Sequence, residues 1–499
     1  MSPRKPYSEK GAVAGGHPLT VEAAVDVLRA GGSAVDAAVA GLWMACACEP
    51  VLASPGGGGF MLLLPPEGGK PQLIDFFVHT PSRKPEEASL DFRAVEADFG
   101  TTRQEFHIGA GAAAVPGFVP GLFAAHGLFG RMPMRDLAEP AVQAASRGIA
   151  VSPFQARLFS IISPILTHSA SARGIFAPGG ELLAAGGILQ NPDLASAIEA
   201  MAHEGVRLAT HGEVAAAMVA AADSGGAIRR SDIARYETHW RAPLMRQREG
   251  AALFLNPPPS CGGTLIDAMM DRMAAVSHKM DIDMLAQAME RTDRDWRAAK
   301  GNLGAFAGLG ETASVRSRGT THISIVDATG FAVSATVSNG EGNGHIVSGC
   351  GFMLNNMLGE EDLNPSGFHR WNPDCRLSSM MAPSILRGAD GTVTAFGSGG
   401  SNRIRTALFQ IAARLLNDMK ENLEELILLP RIHVENGHLH FEDLFDDRDR
   451  ASLCKAFPDH TAWAERSMFF GGTHMARRDR DGRLEAAGDD RRDGRGAVT

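Results

Sequence analysis

Apolar residues recur at helical spacing over long stretches of this chain, and beyond Thr320 the pattern changes to two-residue alternation. Val21, Ala24, Val25 and Leu28 lie on one helical face, with Thr20 as the expected cap and Gly31-Gly32 as the stop. Ser33 then opens a second helix, Ala34 to Cys48, which is apolar all round and is therefore expected inside the molecule. Strands are expected at Phe60 to Leu64 and Gln72 to Val78, behind a glycine run at Gly56 to Gly59 that reads as a bulge or tight backbone crossing. Ala114 to about Arg235 reads as mostly helical. A strand, Ala251 to Leu255, leads into the rigid turn Asn256 to Gly263, which opens a helix.

The segment from about Ile282 to Val315 is helical and then polar, the place for an exposed, cuttable loop. After it come strand candidates at Thr321 to Val326, Ala332 to Val337, Ser384 to Leu386 and Val393 to Phe396, and helices at Ile404 to Leu416 and Leu423 to Leu429. The sum is sheet packed on sheet with helices outside.

Composition narrows this picture. The chain has 499 residues, 44% hydrophobic and 21% charged, with no linker-like segment, which allows one large globular unit. The net charge is −9, and no lysine and arginine run occurs before the tail, so nucleic acid is not an expected partner. The tail itself, Arg477 to Arg495, reads as solvated surface. No stretch approaches a membrane span and no apolar leader follows Met1, so a cytoplasmic protein is expected. The 6 cysteines are scattered and read as reduced and mostly buried, without a metal site. No cofactor is expected. The 57 glycines cluster in runs, which suggests loops where backbone lines a site.

The candidate chemistry lies in Gly319-Thr320-Thr321-His322-Ile323-Ser324. A threonine hydroxyl is a poor nucleophile unless a neighbour takes its proton. If the chain cuts itself between Gly319 and Thr320, the new α-amine, titrating near about 7.7 to 8.0, is a base carried by the nucleophile itself. His322 shares a strand face with Thr320 and is read as structural.

HPLTVEAAVDVLRAGGSAVDAAVA (17 to 40), PGGGGF (55 to 60), AVPG (114 to 117), NPPPSCGG (256 to 263), GTTHIS (319 to 324), LSSM (377 to 380) and GSGGSNRI (397 to 404) follow one another in an order that resembles the gamma-glutamyltranspeptidase family of N-terminal-nucleophile hydrolases. The resemblance implies an α+β fold, a four-layer αββα sandwich. It implies a precursor that cleaves itself into a large piece, 1–319, and a small piece, 320–499, interleaved in one globular unit. The two pieces would form a heterodimer, and a dimer of these is a further option. Thr320 would be the nucleophile and Ser338 its hydroxyl partner. Gly399 and Gly400 would hold the oxyanion, Ser378 and Ser379 the substrate α-carboxylate, and Glu360, with Glu361 beside it, the α-ammonium.

Two departures from the family pattern bear on substrate. Asp75-Phe76 is followed by Phe77 where the family has its carboxylate-gripping arginine, and an aromatic ring cannot replace that bidentate fork. Asp91-Phe92-Arg93 lies too far along to be the same element, and Arg376 is the nearest replacement cation. The family asparagine two residues past the serine is Gly340 here, with Asn339 one place early and Asn343 three places on. The expected function is an amide hydrolase or acyltransferase acting through a Thr320 acyl-enzyme on gamma-glutamyl, glutathione-like amides. Alternatives are an acylase for glutaryl or another dicarboxylic half-amide, and an uncleaved, non-catalytic scaffold of the same fold.

Overall fold

Seven antiparallel strands make the first sheet of the computed structural model, in the order Arg495–Val498, Gly11–Gly15, Thr320–Asp327, Ala332–Ser338, Gly58–Leu64, Gln72–Phe76, His239–Arg241. Six make the second: Leu484–Gly488, Gly472–Arg478, Val393–Gly399, Ser384–Arg387, Ala251–Leu255, Leu244–Arg248. The structure describes residues 10–66, 69–98, 103–274, 281–307, 319–360, 363–364, 367–419 and 421–499. Residues 308–318, where the cuttable loop was expected, and Glu361 lie outside the described residues.

The sheets stack face to face. His322, Ser324 and Ser334 of the first sheet bond to one another or reach carbonyls of His474 and Phe396 on the second. Helices cover the outer faces. Pro18–Arg29, Ala34–Cys48 and Phe118–Phe129 pack on the first sheet, and Gly262–Ala274 and Arg403–Asn417 on the second, with Ile282–Ala298 packed against Gly262–Ala274 and the strand Ile432–Glu435. This is the four-layer αββα sandwich, and two large apolar clusters fill it.

Every one of the 15 residues of Ala34–Cys48 is buried, as its unbroken apolar sequence requires. Ser33 caps it in a reciprocal pair with Asp36. Thr20 is not a cap, however. His17 accepts from the Leu19 N–H to start the first helix, and the Thr20 hydroxyl turns inward to Glu49 at 3.0 Å.

The glycine run does bring backbones together. A Cβ on Gly57 would stand 2.3 Å from the Ser338 carbonyl oxygen, and one on Gly59 2.4 Å from that of Thr336. The tail from Arg477 to Arg495 is solvated surface only in part, with Arg480, Asp481, Arg483, Asp490 and Arg495 exposed. It contributes three strands to the two sheets, and Arg477 and Arg491 are buried in ion pairs with Glu485 and with Glu442 and Asp489. Charge density misled at Arg477 and Arg491 because their carboxylate partners lie inside with them.

Candidate active site

Thr320 is the first residue of the central strand Thr320–Asp327 and is 1% exposed. Its strand pairs with Ala332–Ser338, so Thr320 stands opposite Ser338. The Ser338 hydroxyl donates to the carbonyl oxygen of Gly319 and accepts from the Gly340 N–H at 3.1 Å. The Gly319 N–H in turn donates to the Glu341 carboxylate at 3.1 Å. Both polar groups of the residue before Thr320 are therefore held by side chains.

The second sheet closes on this point from the other side. Val393–Gly399 ends where Arg403–Asn417 begins, and the turn between them is Gly400-Ser401-Asn402. A Cβ on Gly399 would lie 2.2 Å from the Thr320 carbonyl oxygen, so only glycine allows the approach. Gly400, at φ +124°, has a backbone that favours glycine, and a Cβ there would press on Gly471. Arg492 lies against both glycines, its guanidinium nitrogens 3.3 Å from where each Cβ would be.

His322 shares Thr320's strand face but is fully engaged. Its ring bonds Thr336 and Ser324, both at 2.8 Å, and burial, with His474 nearby, keeps it neutral. It braces the two sheets, the structural role expected of it.

Thr321 faces the opposite way and bonds Glu49 at 2.7 Å. Glu49 also accepts from Thr20, and burial, against those two hydrogen bonds, pushes its carboxyl up to about 7. Sequence reasoning missed this residue. The signal was a lone glutamate closing a helix with no polar face beyond its first turn.

The serine pair is knitted to the proline-rich turn. Ser378 Oγ donates to the Pro259 carbonyl, and the Ser379 carbonyl accepts from Ser260 Oγ at 2.7 Å. A Cβ on Gly340 would meet Asn356 Oδ1 at 2.0 Å and Glu360 Oε1 at 2.4 Å. Asn339, Asn343 and Asn356 are each 1% exposed or less, and their side-chain amide nitrogens have no partner among the described residues.

Phe77 and Arg376 do not restore a cation. Phe77 is fully buried and stacks on Phe60 with ring centroids 5.5 Å apart. Arg376 bonds the Phe77 carbonyl, the Tyr236 hydroxyl at 2.6 Å and the Glu237 carbonyl at 2.7 Å, and pairs with Asp75 at 3.4 Å. Its guanidinium anchors the end of Gln72–Phe76 instead of pointing free into the site. The other arginine of an Asp-Phe-Arg segment, Arg93, is on an outlying hairpin, exposed and paired with Asp91 at 2.8 Å. Among the described residues no cluster of three or more metal-type ligands occurs.

The gamma-glutamyltranspeptidase family model matches residues 20–299 and 285–499. The chain belongs to that family. It is 31% identical to the glutathione hydrolase proenzyme of Pseudomonas aeruginosa over 476 residues, covering 85% of this chain and 82% of the relative. It is 29% identical to the CapD proenzyme, a capsule biosynthesis protein of Bacillus anthracis, over 509 residues, covering 97% of this chain and 89% of that one. The fold is that of the cephalosporin acylase from Bacillus halodurans, with a TM-score of 0.83 at 20% identity over 100% of this chain and 98% of the other. Membership makes the chain an N-terminal-nucleophile amidohydrolase of the gamma-glutamyltranspeptidase kind, and the proenzyme names of its relatives suggest processed large and small subunits.

Proposed function

We propose that the chain cuts itself between Gly319 and Thr320 and then uses Thr320 to hydrolyse or transfer the acyl group of gamma-glutamyl or related small amides. The observation that carries this is the arrangement around one peptide bond. The Gly319 carbonyl accepts from Ser338, and the next residue heads a strand against which Gly399 is packed.

Attack of Thr320 Oγ on the Gly319 carbonyl carbon forms an ester as the Thr320 nitrogen leaves, and water releases the 1–319 piece. The freed α-amine then takes the Oγ proton when a substrate amide is attacked. Gly399 and Gly400 stabilise the tetrahedral oxyanion, and the amine returns the proton to the departing nitrogen. Water or an acceptor amine resolves the acyl-enzyme. Ser378, Ser379 and Glu360 contact the acyl portion, with Asn339 and Gly340 on its rim.

Intact-mass measurement of purified protein tests the first half. Pieces of 319 residues and of the remaining 180 of 499 are expected, and one uncut species for Thr320→Ala. A single uncut wild-type species would leave the scaffold reading instead.

A second reading is favoured by Phe77 and by the engagement of Arg376. With no free guanidinium at that wall among the described residues, the distal carboxylate that glutamyl and glutaryl share has no fork to fix it, and glutaryl, which lacks only the α-ammonium, fits as well as glutamyl. Parallel turnover of glutamyl and glutaryl anilides, with the acyl-enzyme mass read on Thr320, separates the two.

A further inference from the structure

Beside the nucleophile is a cavity that no part of this mechanism uses. Its lining combines apolar residues, Phe154, Leu158 and Ile162 among them, with Ser401, Arg403 and Arg492. It reaches Gly319 and Gly400, yet Ser378, Ser379, Glu360 and Phe77 are not among the residues lining it.

The polar part of that lining is built for an anion. Ser401 is 2% exposed, its Oγ has no partner among the described residues, and it is held at φ +61°, a left-handed conformation uncommon for serine. It opens the turn into the 15-residue helix Arg403–Asn417, whose N-terminal end carries partial positive charge. Arg403 stacks over Phe469 at 4.6 Å and bonds the Phe469 carbonyl at 2.8 Å, which fixes its position. Arg492 has no carboxylate within 4 Å among the described residues, and its recorded hydrogen bonds are two contacts of 3.4 Å to the Met468 carbonyl. Burial, with Arg403 beside it, lowers its guanidinium to about 10. Among the described residues that line the cavity the one carboxylate, Glu341, accepts from the Gly319 N–H. Two neighbouring cations, a helix start and a buried unpaired hydroxyl, with no carboxylate within 4 Å of Arg492 among the described residues, form a site that a bound anion would complete.

We infer that Ser401, Arg403 and Arg492 bind a carboxylate on the amine half of the substrate, the half that leaves or accepts, while the apolar lining residues take its body. The inference rests on the Thr320 reading for which half is which. It does not rest on that reading for the anion site itself.

Titration calorimetry of the purified full chain with benzoate and with benzamide tests the site without turnover. Benzoate is expected to bind saturably and at least about tenfold more tightly than benzamide, and Arg492→Met to abolish that preference. Arg492→Lys should restore part of it. Ser401→Gly, which relieves the left-handed backbone while deleting the hydroxyl, should weaken benzoate severalfold and serves if Arg492→Met fails to fold. Equal binding of benzoate and benzamide, or an unchanged preference in both Arg492→Met and Ser401→Gly, overturns the proposal.

Turnover then checks the side of the nucleophile. For anilides with and without a ring carboxylate, the ratio of kcat/KM should fall about tenfold in Arg492→Met. A ratio unmoved by the substitution would overturn the assignment to the amine half. Benzoate binding to a chain that intact mass shows uncut would sink the catalytic reading and keep the anion site.

Discussion

At the scale of single residues, the candidate site depends on hydroxyls whose partners are backbone atoms. Ser338 donates to the very carbonyl that self-cleavage must polarise, so Ser338→Ala should slow appearance of the small piece by about 10² to 10³, followed by intact mass over time. Glu49 predicts a pH dependence. Its carboxyl sits at about 7 in the folded chain against an ordinary 4.5, so the folded state holds the extra proton between those values. Stability should fall as pH rises from about 4.5 to about 7 and level off above. Glu49→Gln should flatten that part of the melting profile, and an identical pH slope in both proteins would remove Glu49 as its source. Thr320 and the glycine pair were legible because their chemistry is local to a few letters. Glu49, Ser401 and Arg492 were not, because what marks Glu49 is a partner 272 residues away and what marks the other two is a pairing or its absence that only the folded chain shows. Ser401 and Arg403 even stood inside a recognised motif, where the two glycines drew the reading.

Among elements, periodicity served well wherever burial is one-sided or complete. The strand Ala251–Leu255 and the helix Ala34–Cys48 have the bounds their sequences imply, other strands extend by a residue or a few, and the one expected from Gln72 to Val78 stops two residues short at Phe76. Among the strands that periodicity missed are Gly11–Gly15, too rich in glycine and alanine to look like one, His239–Arg241 and Leu244–Arg248 at the sheet edges, and the arginine-bearing strands at the end. Gly11–Gly15 can be so small because helix Pro18–Arg29 lies directly on it: a Cβ on Gly11 would meet Leu28 at 2.7 Å. Gly57→Ala probes the crossing behind the site. The added carbon would need to displace the Ser338 backbone, at a cost of about 1 to 3 kcal/mol, so both the melting temperature and the rate of self-cleavage should drop. A loss of stability with maturation intact would disconnect that crossing from the chemistry.

For the molecule as a whole, the final twenty residues act as a tie between layers. Burial pushes the Asp489 carboxyl up, but Arg431 and Arg491 hold it below the ordinary carboxylate range, and Arg491 also grips Glu442 at 2.5 Å. Asp489→Asn leaves two buried guanidinium groups short of charge and should cost about 3 to 5 kcal/mol, seen as a lower denaturant midpoint. The strand order carries a wider consequence. Gly11–Gly15 lies between Thr320–Asp327 and Arg495–Val498, so a strand from before the cut is hydrogen-bonded on both edges to strands from after it. Severing the backbone at 319 would therefore free no fragment: the two polypeptides would elute, melt and refuse exchange with added partner as a single body, separable only by denaturant.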